Sequence, residues 1–371
     1  MTKKLVIGHD KYALEVPARI FQGGMGVGLS LSGLASAVAN EGGAGTISAA
    51  GIGMYEPDVY ENLIEASSRA LRKEIVKAHA LTDGVVGANI MVPQAEYEAD
   101  VQVCLEEGVH FIASGGALPM TLAELAGSNR KTKLLPIVSS ERAFRLILKR
   151  WKRSGRYPDG VIVEGPNAGG HLGFSREELA NPDYYCLEKI VVRVREVIEK
   201  EGIDIPIIAA GGIYTGADIR DIMSHGASGA QMGTRLVTTK ESEAPREFKD
   251  AYLNCNQEDI GIIESPLGLL GRAIKNDFLE QAMAGKKHPK KCFECISGCA
   301  GVGEEVVTEE VTKLVGGAPF CYTMALVNAK KGKMKHGFAF AGVNAYRAKE
   351  TGIISVHELF EILKREYEES A

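Results

Sequence analysis

Short apolar runs recur across residues 19–236, and each is followed by a turn and then by a stretch with apolar residues three and four positions apart. That rhythm belongs to repeated strand–helix units, in which each strand is buried on both faces and returned by an amphipathic helix. Eight candidate strands can be read, at residues 19–22, 44–49, 85–91, 110–114, 134–138, 160–164, 205–209 and 230–236. Pro206-Ile207-Ile208-Ala209-Ala210 contains no polar residue, as expected of a strand with no face toward water. The segments 143–152 and 187–200 carry Lys, Arg and Glu on one side and apolar residues on the other, so they predict outer helices. Eight such units predict an α/β fold, the TIM (β/α)8 barrel.

The chain has 371 residues, 45% of them hydrophobic. A barrel needs about 250 residues, which leaves room for a smaller unit. The rhythm stops after Thr238, so residues 1–240 are assigned to the barrel and 241–371 to a C-terminal helical cap or lid. This cap is expected to hold helices at 266–284 and 356–367 and a cysteine-rich segment at 292–321.

The formal net charge is −5 with both signs interspersed, so no basic stripe is available for a phosphate backbone and no nucleic acid partner is expected. No apolar run approaches the length of a membrane span, and residues 1–15 lack the apolar core of a secretion signal. The chain is therefore read as cytoplasmic, with no membrane partner and with a homodimer left open. Seven cysteines, an odd number, do not describe a secreted disulfide framework.

Chemistry is expected where the strands end, because the C-terminal mouth of a barrel collects its functional groups. Gly211-Gly212 ends the seventh candidate strand, and a helix opens near Thr215-Gly216-Ala217-Asp218. Gly229-Ala230-Gln231-Met232-Gly233-Thr234-Arg235 gives a second glycine turn with a hydroxyl beside it. Two such turns after strands seven and eight suit a phosphate, which accepts bonds from exposed N–H groups and a helix N-terminus. At the first strand, Phe21-Gln22-Gly23-Gly24-Met25-Gly26-Val27 offers the flat approach that suits the edge of an isoalloxazine ring. Asn89, ending the third strand, can both donate and accept at the pyrimidine half of such a ring. After the sixth strand, Val163-Glu164-Gly165-Pro166-Asn167-Ala168-Gly169-Gly170-His171-Leu172-Gly173 sets one imidazole among glycines. A lone histidine is often only structural, but this one has little core beside it and an ordinary titration range suited to proton exchange.

In order and spacing these motifs resemble the nitronate monooxygenase (2-nitropropane dioxygenase) family, with an extension to the flavin-dependent enoyl-ACP reductases that share its barrel. The resemblance covers about the first 240 residues, and the Ala-Gly-Gly-His loop is its most specific element. It implies FMN as cofactor. Gly23, Gly24, Met25 and Asn89 would line the ring, with Glu164 near it. Gly169, Gly170, Gly211, Gly212, Gly233 and Thr234 would hold the ribityl chain and phosphate, with Gln231 in the same cofactor set. His171 would be the catalytic or substrate-orienting group. A carboxylate at Glu164 would oppose negative charge at the ring's N1 unless it were protonated or paired, so its role stays open.

Cys292, Cys295 and Cys299 have the spacing C-x2-C-x3-C, and Cys321 follows. Four thiolates suit a [4Fe-4S] cluster or a tetrahedral Zn site, and free or redox-active thiols remain the alternative. The first three resemble in spacing the iron–sulfur enoate and dienoyl reductases. Cys104, Cys186 and Cys255 stand alone and are assigned no metal. The basic run 286–291 reads as a solvated loop, with an anionic carrier or coenzyme A phosphate as the alternative.

Four functions compete. The first oxidises an alkyl nitronate with O2 through FMN and needs no nicotinamide. The second reduces an enoyl thioester with NAD(P)H, which enters only in that case. The third is a non-redox barrel binding a phosphate ligand, and the fourth is a scaffold, against which the glycine-lined mouth argues.

Overall fold

The computed structural model describes residues 4–265, 268–284, 294–296 and 320–371. Its strands are β1 (Leu5–Ile7), β2 (Leu14–Val16), β3 (Ile20–Gln22), β4 (Ala44–Ser48), β5 (Val85–Met91), β6 (Phe111–Gly115) and β7 (Lys133–Val138). They continue with β8 (Val161–Glu164), β9 (Gly170–Leu172), β10 (Ile207–Ala210), β11 (Gly229–Met232), β12 (Ile260–Glu264), β13 (Leu270–Ile274) and β14 (Ala339–Phe340). Eight of them close a parallel barrel in the order β3-β4-β5-β6-β7-β8-β10-β11, with β11 pairing back onto β3. The expected barrel is therefore present, and each of its strands overlaps one of the eight apolar runs.

Closure forces every barrel residue either inward, to the barrel interior, or outward, under the helices. Phe21, Phe111, Leu135, Ile162 and Ile208 share the inner cluster with Leu5, Ile7, Leu14 and Val16 of the antiparallel β1–β2 hairpin. The hairpin thus plugs the barrel, and the fully buried Lys133 ties it down by an ion pair with Asp10 at 2.8 Å. The outer layer is set by amphipathic helices such as Glu141–Arg153, whose Phe144, Ile147, Leu148 and Trp151 are buried. Ser140 caps that helix by accepting from Ala143 N, and the basic residues Arg150, Lys152 and Arg153 sit at its negative end. No described helix is long and apolar enough to cross a membrane.

Three expectations need correction. The eighth strand stops at Met232, because Thr234–Val237 turns into a short helix rather than extending to 236. The segment 266–284 is helical only over Asp277–Met283. Before that helix, β12 and β13 pair antiparallel, β14 adds to the far side of β13, and β9 from the barrel's sixth loop adds as well. The part expected as a helical cap is thus mixed, joined to the barrel by a shared small sheet. The last helix, Val356–Glu369, docks on the barrel's outer layer against Gly216–Ser224.

That docking is chemically specific. Arg235 is buried, donating to the Tyr214 carbonyl at 2.6 Å and to Glu366 at 3.2 Å, while Glu366 also accepts from Gly216 N at 2.8 Å. The Tyr214 ring lies between the Arg235 and Arg347 guanidinium groups, 4.8 and 4.9 Å from its centroid. Substituting Glu366→Ala leaves a buried cation short of its acceptor, and urea unfolding should show a loss of about 2 kcal/mol. Lys4→Ala, which breaks an exposed pair with Glu15, should change stability by less than about 1 kcal/mol.

Candidate active site

The mouth of the barrel opens into a cavity of about 300 Å³. Gly23, Gly24 and Met25 from the turn after β3 line it, with Asn89 of β5. Glu164 at the end of β8 and Gly169, Gly170 and His171 from the following segment form another side. Gly211 and Gly212 after β10, with Gln231, Gly233 and Thr234 at the end of β11, complete the ring. One cavity therefore gathers every barrel residue expected at the site, from the ends of five barrel strands.

Local backbone demands explain two of the glycine motifs. A Cβ on Gly24 would lie 2.3 Å from the Cβ of Asn89, so this close approach excludes any side chain. Gly211 and Gly212 adopt φ of +98° and +86°, the region that L side chains avoid. Neither their N–H groups nor that of Gly233 finds an acceptor among the described residues. The helix at 216–224 does not supply the donors expected of it. Asp218 accepts from Tyr214 N and Thr215 N, and Glu366 takes Gly216 N, so that helix end is sealed from within.

His171 is not a loop residue. It sits on β9, paired across from Gly271 of β13. Its ring meets those of Tyr322 and Phe340 edge-on, each at 5.2 Å between centroids, and its Nε2 lies 3.0 Å from Ser265 Oγ. Burial among these rings disfavours the imidazolium and moves the histidine down to about 4. Burial has the opposite sign for an acid: Glu164 is pushed up to about 7. At about 7, Glu164 is roughly half protonated near neutrality, which lessens the conflict between a carboxylate and negative charge at the ring's N1.

These residues fit FMN. Three unpartnered backbone donors, at Gly211, Gly212 and Gly233, would suit its phosphate, and Asn89, Gln231 and Glu164 are polar groups that would suit its pyrimidine edge.

Sequence reasoning missed part of this wall. Tyr322, Thr323 and Phe340 come from beyond residue 300, and Gln94 and Glu96 from the turn after β5. Neither group has a motif. Cys295 lines the cavity, 3.5 Å from the Thr323 hydroxyl, and Cys321 accepts from Met324 N at the start of a helix. Cys292 and Cys299, like the basic run 286–291, fall outside the described residues. Among the described residues no group of three or more His, Cys, Asp or Glu could hold a metal ion. Cys104 and Cys255 are buried and Cys186 partly so.

The family model described as nitronate monooxygenase matches residues 11–366. A Mycobacterium tuberculosis protein named (3aS,4S,5R,7aS)-5-hydroxy-7a-methyl-1-oxo-octahydro-1H-indene-4-carboxyl-CoA dehydrogenase is 26% identical over 254 residues, which are 68% of this chain and 62% of that protein. The chain thus spans about three fifths of the length of such curated relatives. Among solved structures, FabK from Thermotoga maritima superposes with a TM-score of 0.69 at 27% identity, covering 95% of this chain and 93% of its own. The nitroalkane oxidase of Streptomyces ansochromogenes gives 0.69 at 22% identity over 96% and 97%, a likeness of fold.

Gly211→Ala forces a side chain into φ +98°, at a cost of roughly 1–2 kcal/mol, and tilts one phosphate donor. The purified variant should fold yet retain at least about tenfold less FMN, a loss of roughly 1.4 kcal/mol in binding, measured by released flavin fluorescence.

Proposed function

The chain belongs to the nitronate monooxygenase family, and on that premise we propose that it is an FMN-dependent oxidoreductase that oxidises alkyl nitronates, or the parent nitroalkanes, with O2. The observation that carries this is His171, an imidazole kept neutral by burial and held at the edge of the glycine-lined cavity. A neutral imidazole cannot readily give up a proton, but it can accept one from an acidic carbon or a bond from an oxygen.

When bound, FMN would supply the redox chemistry, taking electrons from the substrate and passing them to O2. The chain's own residues would do the rest. Tyr322, Phe340 and Ser265 fix the His171 ring, so the imidazole meets the substrate in one orientation. Backbone N–H groups of Gly211, Gly212 and Gly233 would hold the phosphate. Glu164, able to carry a proton near neutrality, would avoid placing a full negative charge on the cavity wall.

A second reading is reduction of an enoyl thioester by NAD(P)H. It is supported by carboxyls that hold protons above the ordinary range at the same cavity, Glu164 and Glu96, because a reduced double bond needs a proton as well as a hydride. Any cluster or zinc on Cys292, Cys295, Cys299 and Cys321 would be an addition to either chemistry.

Anaerobic stopped-flow spectra of the flavin separate the two: bleaching by ethyl nitronate alone supports the first, and bleaching by NADH or NADPH alone supports the second. A purified protein with no flavin spectrum would overturn both. His171→Ala should lower turnover roughly 100-fold while flavin stays bound. Because the histidine sits near 4, the acid limb of kcat/KM should fall only as pH drops through about 4, where the imidazole becomes protonated. A fall centred near 6.5 would show an ordinary, exposed histidine instead.

A further inference from the structure

The cavity has an acidic wall whose part in the chemistry above is not yet assigned to any one residue. Glu96, in the turn between β5 and the helix Tyr97–Glu106, lines the cavity although it is only 1% exposed. Gln94 donates to its Oε1 at 3.1 Å, while its Oε2 has no partner among the described residues. One helical turn further in, Asp100 is fully buried, and both its oxygens are without a partner there. Cys104, also fully buried, lies a turn beyond.

The groups packed around the two acids bring no compensating charge. Ser67 of the helix Leu63–Leu81 faces Glu96, and the Tyr97 hydroxyl is engaged by Ser114 of β6 at 3.1 Å. The arginines of the neighbouring helix are committed elsewhere, Arg69 to Glu56 and Asp58, and Arg72 to Glu106 and Glu107. Burial and mutual repulsion then favour the neutral acid at both positions, and both are raised above the ordinary carboxyl range.

We propose that Glu96 is the proton donor to the substrate in this cavity, backed by Asp100 as a second buried acid, from a position three strands around the barrel from His171. The inference rests on the second reading, enoyl-thioester reduction. In that step, hydride originating from the nicotinamide reductant bonds to the β-carbon and leaves an electron pair on the α-carbon. That pair forms a new C–H bond with the proton of Glu96, whose O–H bond breaks. The charge left on Glu96 is met by the Gln94 side-chain N–H, which donates to its Oε1, while Asp100 stays protonated and so adds no second negative charge beside it. Water restores the lost proton once product has left.

The test uses the flavin-loaded full chain. Glu96→Gln keeps the size of the side chain but cannot donate. With a short enoyl-coenzyme A and NADPH, it should turn over roughly 100-fold more slowly at little-changed KM, whereas Glu96→Asp should restore part of the rate. Infrared spectra near neutral pH should show carboxylic-acid C=O absorbance that shifts in D2O and that loses one component in Glu96→Gln and another in Asp100→Asn. Wild-type turnover in Glu96→Gln, or an infrared spectrum unchanged by it, overturns the proposal. If the wild type does not reduce the thioester, the reductase reading and the donor role fall together, while the infrared result still decides whether Glu96 holds a proton. Should Glu96→Gln not fold, the wild-type spectrum, compared with that of Glu164→Gln, carries the test. Protonated-carboxyl absorbance at neutral pH that is lost entirely in Glu164→Gln would then overturn it.

Discussion

Everything at the mouth depends on ring closure. β11 pairs with β3 in register, and Gly23 N donates to the Met232 carbonyl at 2.8 Å. That seam joins residues more than two hundred positions apart and sets the first glycine turn beside the last. Without it, Gly23–Met25 and Gly233–Thr234 would belong to opposite edges of an open sheet. No cavity would exist for either to line.

The second determinant is electrical. The wall of the cavity holds one imidazole and two carboxyls, and burial acts on both kinds of group in the direction of neutrality: the histidine moves down and Glu164 and Glu96 move up. A pocket of reduced charge in a protein of net charge −5 lowers the solvation penalty of buried ions and leaves its protons available for chemistry. It also lessens the conflict of a glutamate beside an electron-accepting ring.

The barrel was legible because its strands are buried on both faces, so runs such as Pro206–Ala210 carry no competing signal. The mouth was legible for a related reason: in this architecture, the residue where an apolar run ends is a functional position by geometry. Other features lacked such rules. β12 and β13 contain glycines and charged residues, Gly261, Glu264, Gly271 and Arg272, and pair in a small sheet that takes β9 and β14 from distant parts of the chain. The burial of Glu96 and Asp100 is invisible locally, since acids in a first helical turn ordinarily face water and favour the helix dipole. The free N–H donors expected where the helix opens near Gly216 are taken up instead, one of them by Glu366, a partner 150 residues away that no local pattern announces.

The role of that last helix bears on how the chain comes to be folded. The helix Val356–Glu369 brings Glu366 to Arg235 and Gly216, on the units that carry the final two barrel strands. During synthesis those strands emerge well before the helix that completes their outer layer, more than a hundred positions later in the chain. The seam can form early, but the buried arginine beside it waits without its carboxylate until that helix docks. Closing the barrel and settling its charge are therefore separate events in folding, the first local to the strands and the second dependent on a distant segment.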